Sequence, residues 1–426
     1  MRPGAWLLGI GALLTLTAAL AGCGDDDTPS PAAQLPVTPT ALAPAAAAML
    51  DEAARVRGLA PPADLQAALI TRAQLPAVLE TTLTEADRAW FARTTTLYRM
   101  LGYLAPDEQY LDLYLGFARD AVIGLYDPAR QTIWLVSDRP EAGFDGLGND
   151  EQAAFRHELI HALQDAHFGL ERGSERAQAD YDANLAWTAL VEGDATLHAG
   201  LGGLRGAAPG GTVLLLASAQ AAPGGLSAPI ERALRFPYEA GAEWVRSIAA
   251  RGGTAAIDAL FREPSASTAL ILHPDGATQG RRPQTVTLPD LTRALGGGWK
   301  RESGGALGEF EWMNFLQQRL KGLEAATAAA GWDGDHYDIY AKGSRAVFVA
   351  RVTCASDEAA ARLRSALLTW ASDSELVAND RGRYTVATAA GSNTLAIARG
   401  NGRDVVAIIA TDPADAEAAM RVLAGG

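Results

Sequence analysis

The sequence predicts an α+β protein: a mainly helical body carrying a small β-hairpin, followed by a smaller unit in which strands and helices alternate. Three observations predict it. Amphipathic helical periodicity dominates residues 47–264, with one strand–turn–strand interruption at 121–137. Beyond about residue 300, short apolar strand-like runs alternate with helical stretches. The 426 residues, 48% hydrophobic and 20% charged, suffice for two domains with sizeable cores.

At the N-terminus, Arg2 precedes the apolar run "WLLGIGALLTLTAALAG", which stops at Cys23. It reads as an export signal over 1–22, marginal in length for a membrane span. "LAGC" (Leu20 to Cys23) resembles a bacterial lipobox, in which the signal is cut before the cysteine and the thiol is lipidated. Cys23 is therefore the expected anchor to a membrane of the bacterial cell envelope, with Gly24 after it favouring the outer membrane where there are two. Residues 23–46, rich in Pro, Ala, Thr and Asp, read as a disordered tether. Helical patterns follow at 47–57, 62–80 and 84–104, the last capped by Thr84 with Asp87 three residues on. "AVIGLYDPARQTIWLVS" (121–137) reads as a hairpin turning at Asp-Pro.

The next helix is expected to be capped by Asn149 with Gln152, and another spans about 176–199. Residues 200–226 form a Gly-rich loop around "TVLLLASAQAA", too short to cross a bilayer. A helix, a Gly-Gly break and a second helix occupy 234–264. The polar, Arg-rich stretch at 276–290 marks the boundary between a body at 47–285 and a C-terminal unit at 286–426. In that unit a helix (305–329), two strands (336–353), a helix (356–372), three strands (382–410) and a last helix suggest a ferredoxin-like arrangement. Cys354 reads as a buried small hydrophobe, so with Cys23 acylated no intrachain disulfide forms. The net charge of −14 and pI near 4.9 argue against nucleic acid and anionic membrane surfaces as partners, because both need a basic footprint.

Chemistry concentrates in "AAFRHELIHALQDAHF" (153–168). Residues four apart on a helix lie about 40° apart in azimuth and about 6 Å along the axis. His157 and His161 can thus each offer a nitrogen to one cation, while Glu158 can hydrogen-bond a water beside it. A catalytic zinc takes three protein ligands, and Glu192 in "WTALVEGDATLHAG" is the candidate third. Its carboxylate adjoins an apolar run and is costly to bury without a partner. Gly193 is expected to let this helix and the motif helix approach closely. Asp194, about 200° round the helix, faces elsewhere, and His198 is a rival ligand. Asp165, four residues past His161, is the candidate for orienting that ring. Leu159, Ile160 and Leu163 pack the helix into the core. His167 and His336 read as structural.

HExxH on one helix with a glutamate on a later one resembles the gluzincin metallopeptidases, the thermolysin-like group. More closely, the chain is similar to a set of bacterial, often exported HExxH proteins known mainly as predicted metallopeptidases. The likeness rests on "GLYDP", "HELIHALQDAHF", "ALVEGDAT", "FPYEAG", "LHPD" and "AAAGWDGDHYDIY". It implies a zincin-like body, one zinc held by His157, His161 and Glu192, and Glu158 as general base on a peptide or protein substrate. It also implies that "VIGLY" or its hairpin mate is the edge strand along which an extended peptide pairs. His273, Tyr238 and Tyr126 are candidates for stabilising the oxyanion. The chain departs from the set at 267–277, "STALILHPDGA", where a Glu-Gln pair is missing; this weakens a role for His273. Two other functions fit the same residues: an envelope scaffold that keeps the body without turnover, and an amidase of cell-wall peptides using the same zinc chemistry.

Overall fold

The computed structural model describes residues 35–177, 180–200, 225–264, 267–274, 282–372, 383–388, 391–399 and 402–423. The signal segment, Cys23, most of the Gly-rich loop and the start of the polar boundary lie outside them. The helical part runs β1 (Thr40–Ala41), α1 (Pro44–Arg57), β2 (Gln66–Ile70), α2 (Leu75–Thr82), α3 (Glu85–Met100), α4 (Tyr110–Ala121), β3 (Gly124–Asp127) and β4 (Thr132–Val136). It continues with α5 (Asn149–Phe168), α6 (Leu170–Ala177), α7 (Tyr181–His198) and α8 (Ala228–Arg262). The remainder comprises α9 (Ala269–Leu272), α10 (Thr292–Leu295), β5 (Lys300–Gly305), α11 (Gly308–Leu316), α12 (Gly322–Ala329), β6 (Trp332–Lys342) and β7 (Arg345–Cys354). It closes with α13 (Asp357–Ser372), β8 (Arg383–Thr388), β9 (Gly391–Arg399), β10 (Asp404–Ala410) and α14 (Pro413–Leu423). The α+β class holds, and no helix among the described residues is long and apolar enough to cross a membrane.

The small sheet is larger than a hairpin. Its order is β1-β2-β4-β3, with β2 parallel to β4 and β3 antiparallel at the edge. The helix expected over 62–80 is instead β2 followed by α2. Pro76 explains the division, since proline fits the first turn of a helix and breaks its interior. Order also begins before residue 47. Leu35 and Val37 pack against the core and β1 pairs with β2, so the part of the expected tether from 35 onward lies on the body.

One face of this sheet packs on α1 and α5 through Leu50, Tyr126, Ile133, Phe155, Leu159 and Leu163. The Thr84 cap closes as a capping box with Asp87. At α5 the cap is one residue earlier than expected: Glu151 accepts the Gly148 N–H at 2.6 Å, while Gln152 donates to the Leu147 carbonyl. The left-handed Gly253 (φ 65°) breaks α8 within the Gly-Gly pair.

The second sheet is fully antiparallel, in the order β5-β6-β7-β10-β9-β8. That is not the four-stranded split β-α-β arrangement of a ferredoxin-like unit. The helix expected over 305–329 is two, α11 and α12, and β5 precedes them. One buried apolar cluster runs from Ala68 through Trp312 to Ile409, so the core continues across residue 285. Cys354 is buried within it, and burial pushes its thiol up to about 11.

Candidate metal centre

α5 is held between β3 on one side and α7 on the other, and this fixes its polar face. His157 Nε2 lies 3.0 Å from Glu192 Oε2 and 3.0 Å from His161 Nε2. His161 Nε2 lies 3.5 Å from the same carboxylate oxygen. The two rings meet edge to face at 83° with centroids 4.6 Å apart. All three residues are buried, and a ligand atom from each lies within 4.8 Å of the others. The sequence-predicted trio is brought together, as a group that could hold a metal ion.

Charge and hydrogen-bonding capacity both fit a cation. Burial alone would raise the Glu192 carboxyl, but the two imidazoles outweigh it and hold it below its usual range. Burial would likewise depress His161, yet Glu192 and Glu158 lift it. The cluster therefore sets an anionic carboxylate beside two imidazole nitrogens, an arrangement a divalent ion can bridge. Among the described residues, Glu192 Oε1, Glu158 Oε2 and His157 Nδ1 are buried without a hydrogen-bond partner. Such atoms are costly to bury unless something absent from the polypeptide satisfies them. Two imidazole nitrogens and one carboxylate oxygen are a donor set suited to zinc among the common ions.

Glu158 sits beside the trio and against β3. The Tyr126 backbone N–H donates to its carboxylate, and burial raises its pKa despite both histidines. Gly124 makes this contact possible: a Cβ there would fall 2.8 Å from Glu158 Cγ. Glycine in "GLYDP" thus opens the edge strand to the base.

Gly193 acts elsewhere than expected. A Cβ on it would come 2.4 Å from the Gly241 carbonyl carbon, and one on Gly241 would strike the Ala189 carbonyl. The close approach is therefore between α7 and α8, not α7 and the motif helix. It brings Tyr238, one turn before Gly241, over the cluster. Its hydroxyl hydrogen-bonds Glu192, and its ring centroid lies 6.3 Å from that of His157.

One other expected role is corrected. Asp165 does not orient His161; it accepts from the Tyr126 hydroxyl (3.0 Å) and the Leu170 N–H (2.9 Å), closing the end of α5. The His161 Nδ1 partner is Gln164 Oε1, at 2.9 Å. Sequence reasoning passed over Gln164, although i+3 shares a helix face as well as i+4 does. His273, the candidate oxyanion donor, pairs with Glu309 at 2.7 Å. Tyr126, engaged by Asp165, is not aimed at the trio.

The rival His198 faces Asp194, 2.8 Å away, and is not a ligand. Asp194 does face away from the trio, into a buried pair with Arg57. His167 bonds the Ala60 carbonyl, and His336 lies 3.3 Å from Asp338. A separate cavity of about 1060 Å³ lies between α8, residues 282–286 and β6; no residue of the cluster lines it.

Compared with known proteins, residues 292–420 match a family described as a domain of unknown function, DUF8575. That match covers the C-terminal part and none of the cluster. No curated protein and no solved structure matches the chain.

Proposed function

We propose that the chain is a zinc-dependent hydrolase of peptide bonds, of zincin-like design, tethered to the bacterial cell envelope through a lipidated Cys23. One observation carries the catalytic part: two imidazoles and a carboxylate from two helices converge in a buried site with a second carboxylate, Glu158, beside them. The anchoring rests on the "LAGC" stretch alone.

His157, His161 and Glu192 would hold the zinc, which would supply Lewis acidity toward a water and a carbonyl. The protein's own groups do the rest. Glu158 takes the proton from the attacking water and returns it to the leaving amine. Its burial raises its proton affinity toward that task. Tyr238 keeps its hydroxyl proton, because burial and Glu192 push its pKa far up, so it serves as a neutral donor. β3, at the edge of its sheet, can align an extended substrate beside Glu158 by backbone pairing.

The test is metal analysis of the purified protein together with turnover of a quenched peptide library. Glu158→Gln should keep about one zinc per chain and lose ~10²–10⁴-fold in turnover. A wild-type protein that holds zinc yet cleaves neither peptides nor cell-wall fragments would favour the scaffold.

A further inference from the structure

His157 and His161 are neighbours, yet the protein treats their outer nitrogens differently. His157 Nδ1 is buried without a partner among the described residues. His161 Nδ1 meets Gln164 Oε1 at 2.9 Å. The far end of that amide, Nε2, lies 3.0 Å from the Val191 carbonyl and 2.8 Å from Asp194 Oδ2. A peptide carbonyl can only accept, so the amide must turn its NH₂ toward α7 and its oxygen toward His161. His161 is then obliged to carry its hydrogen on Nδ1, which leaves the Nε2 lone pair facing Glu192.

Val191 and Asp194 flank Glu192 in sequence, so the same amide also sets the spacing between the α5 and α7 ligands. Asp194 is braced in turn by Arg57, a fully buried arginine from α1. Its Nε donates to Asp194 (2.9 Å) and its Nη2 to Asp258 on α8 (2.7 Å).

We infer that Gln164 is a positioning residue that fixes the tautomer of His161 and the gap between His161 and Glu192, with Arg57 bracing it through Asp194. The inference rests on the metal-site reading above. It makes the two imidazoles inequivalent: one is set by the fold, the other only by the ion.

The experiment uses the full chain and zinc alone. In the zinc-loaded wild type, ¹⁵N-edited proton spectra should show a slowly exchanging Nδ1–H on His161, bound to zinc through Nε2, besides that of His198, whose Nδ1 faces Asp194. Gln164→Leu should abolish the His161 resonance and weaken zinc binding about 10–100-fold in a chelator competition. Arg57→Met should weaken it less. Unchanged zinc affinity in a folded Gln164→Leu, or His161 ligating through Nδ1, overturns the inference and leaves the metal site standing. Failure of the wild type to bind zinc overturns the metal site itself. The spectrum of the wild type needs no variant, so a Gln164→Leu protein that does not fold still leaves the test decisive.

Discussion

Two groups of buried carboxylates sit along the same helix, and they are built in opposite ways. At the C-terminal half of α7, Glu192 faces two imidazoles, and three atoms of the cluster lack a partner. At its N-terminal end, Asp182 joins Glu311 on α11 and Asp335 on β6 where the helical body meets the second sheet. Here every acid is served by neutral donors. Asp335 takes the N–H groups of Leu307 and Gly308 and the indoles of Trp312 and Trp332. Glu311 takes the hydroxyls of Tyr103 and Tyr181 and the Asn314 amide. Asp182 takes the N–H and hydroxyl of Thr268. Burial alone does not mark a site. What separates the two is unmet lone pairs and cationic partners in one, completed hydrogen bonding in the other.

The largest expected effect should split the two groups outright. Glu192→Ala removes a ligand and leaves the acids of the joint untouched, so zinc content should fall from about one per chain toward zero. The metal-free variant should stay folded but unfold somewhat earlier, because His157 and the Tyr238 hydroxyl lose their buried partner. A variant that keeps its zinc, or that loses its fold, breaks the contrast.

The joint should announce itself through pH. Burial pushes Glu311 and Asp182 up to about 7 and Asp335 up to about 6, so the folded chain holds protons there that the unfolded chain has released. The stability these groups contribute is full below about pH 4 and lost as pH rises through 6 to 7. Urea midpoints of the metal-free protein should carry this downward contribution between pH 5 and 8. Glu311→Gln should flatten the curve by roughly one acid's share, a few kcal/mol at most. Zinc content should not change. An unaltered slope would mean that Glu311 is ionised in place.

The same contrast explains what could be read from the sequence. His157, His161 and Glu192 were legible because ligand spacing on a helix is a local geometric rule, and a carboxylate beside "TALV" needs a reason. Asp165 and Gln164 share that helix face, and nothing local ranks them. The ranking comes from Tyr126 and Leu170, which claim Asp165, and from the carbonyl of Val191, which claims Gln164. Gly193 announced a close contact, but the helix across it is α8 and not the motif helix. The motif "AAAGWDGDHYDIY" carries the joint: Trp332 and Asp335 bond each other and the start of α11. β2 escaped because "QAALI" has no alternation when nearly all of it is buried.

The smallest effect sharpens the boundary of the site itself. Tyr238 touches Glu192, but from α8, and its hydroxyl hydrogen-bonds the carboxylate that would take the cation. Tyr238→Phe keeps the ring that packs beside His157 and removes only the hydrogen bond, worth about 0.5–1.5 kcal/mol. If the hydroxyl merely steadies Glu192, zinc affinity should fall by up to about tenfold and turnover at saturating zinc should hold. If it also donates to the substrate, turnover should fall further than affinity does. Measuring both on the one variant assigns Tyr238 to the ligand cradle or to the reaction. A change in neither would place it with the buried tyrosines of the joint, where hydroxyls complete a carboxylate and do nothing more.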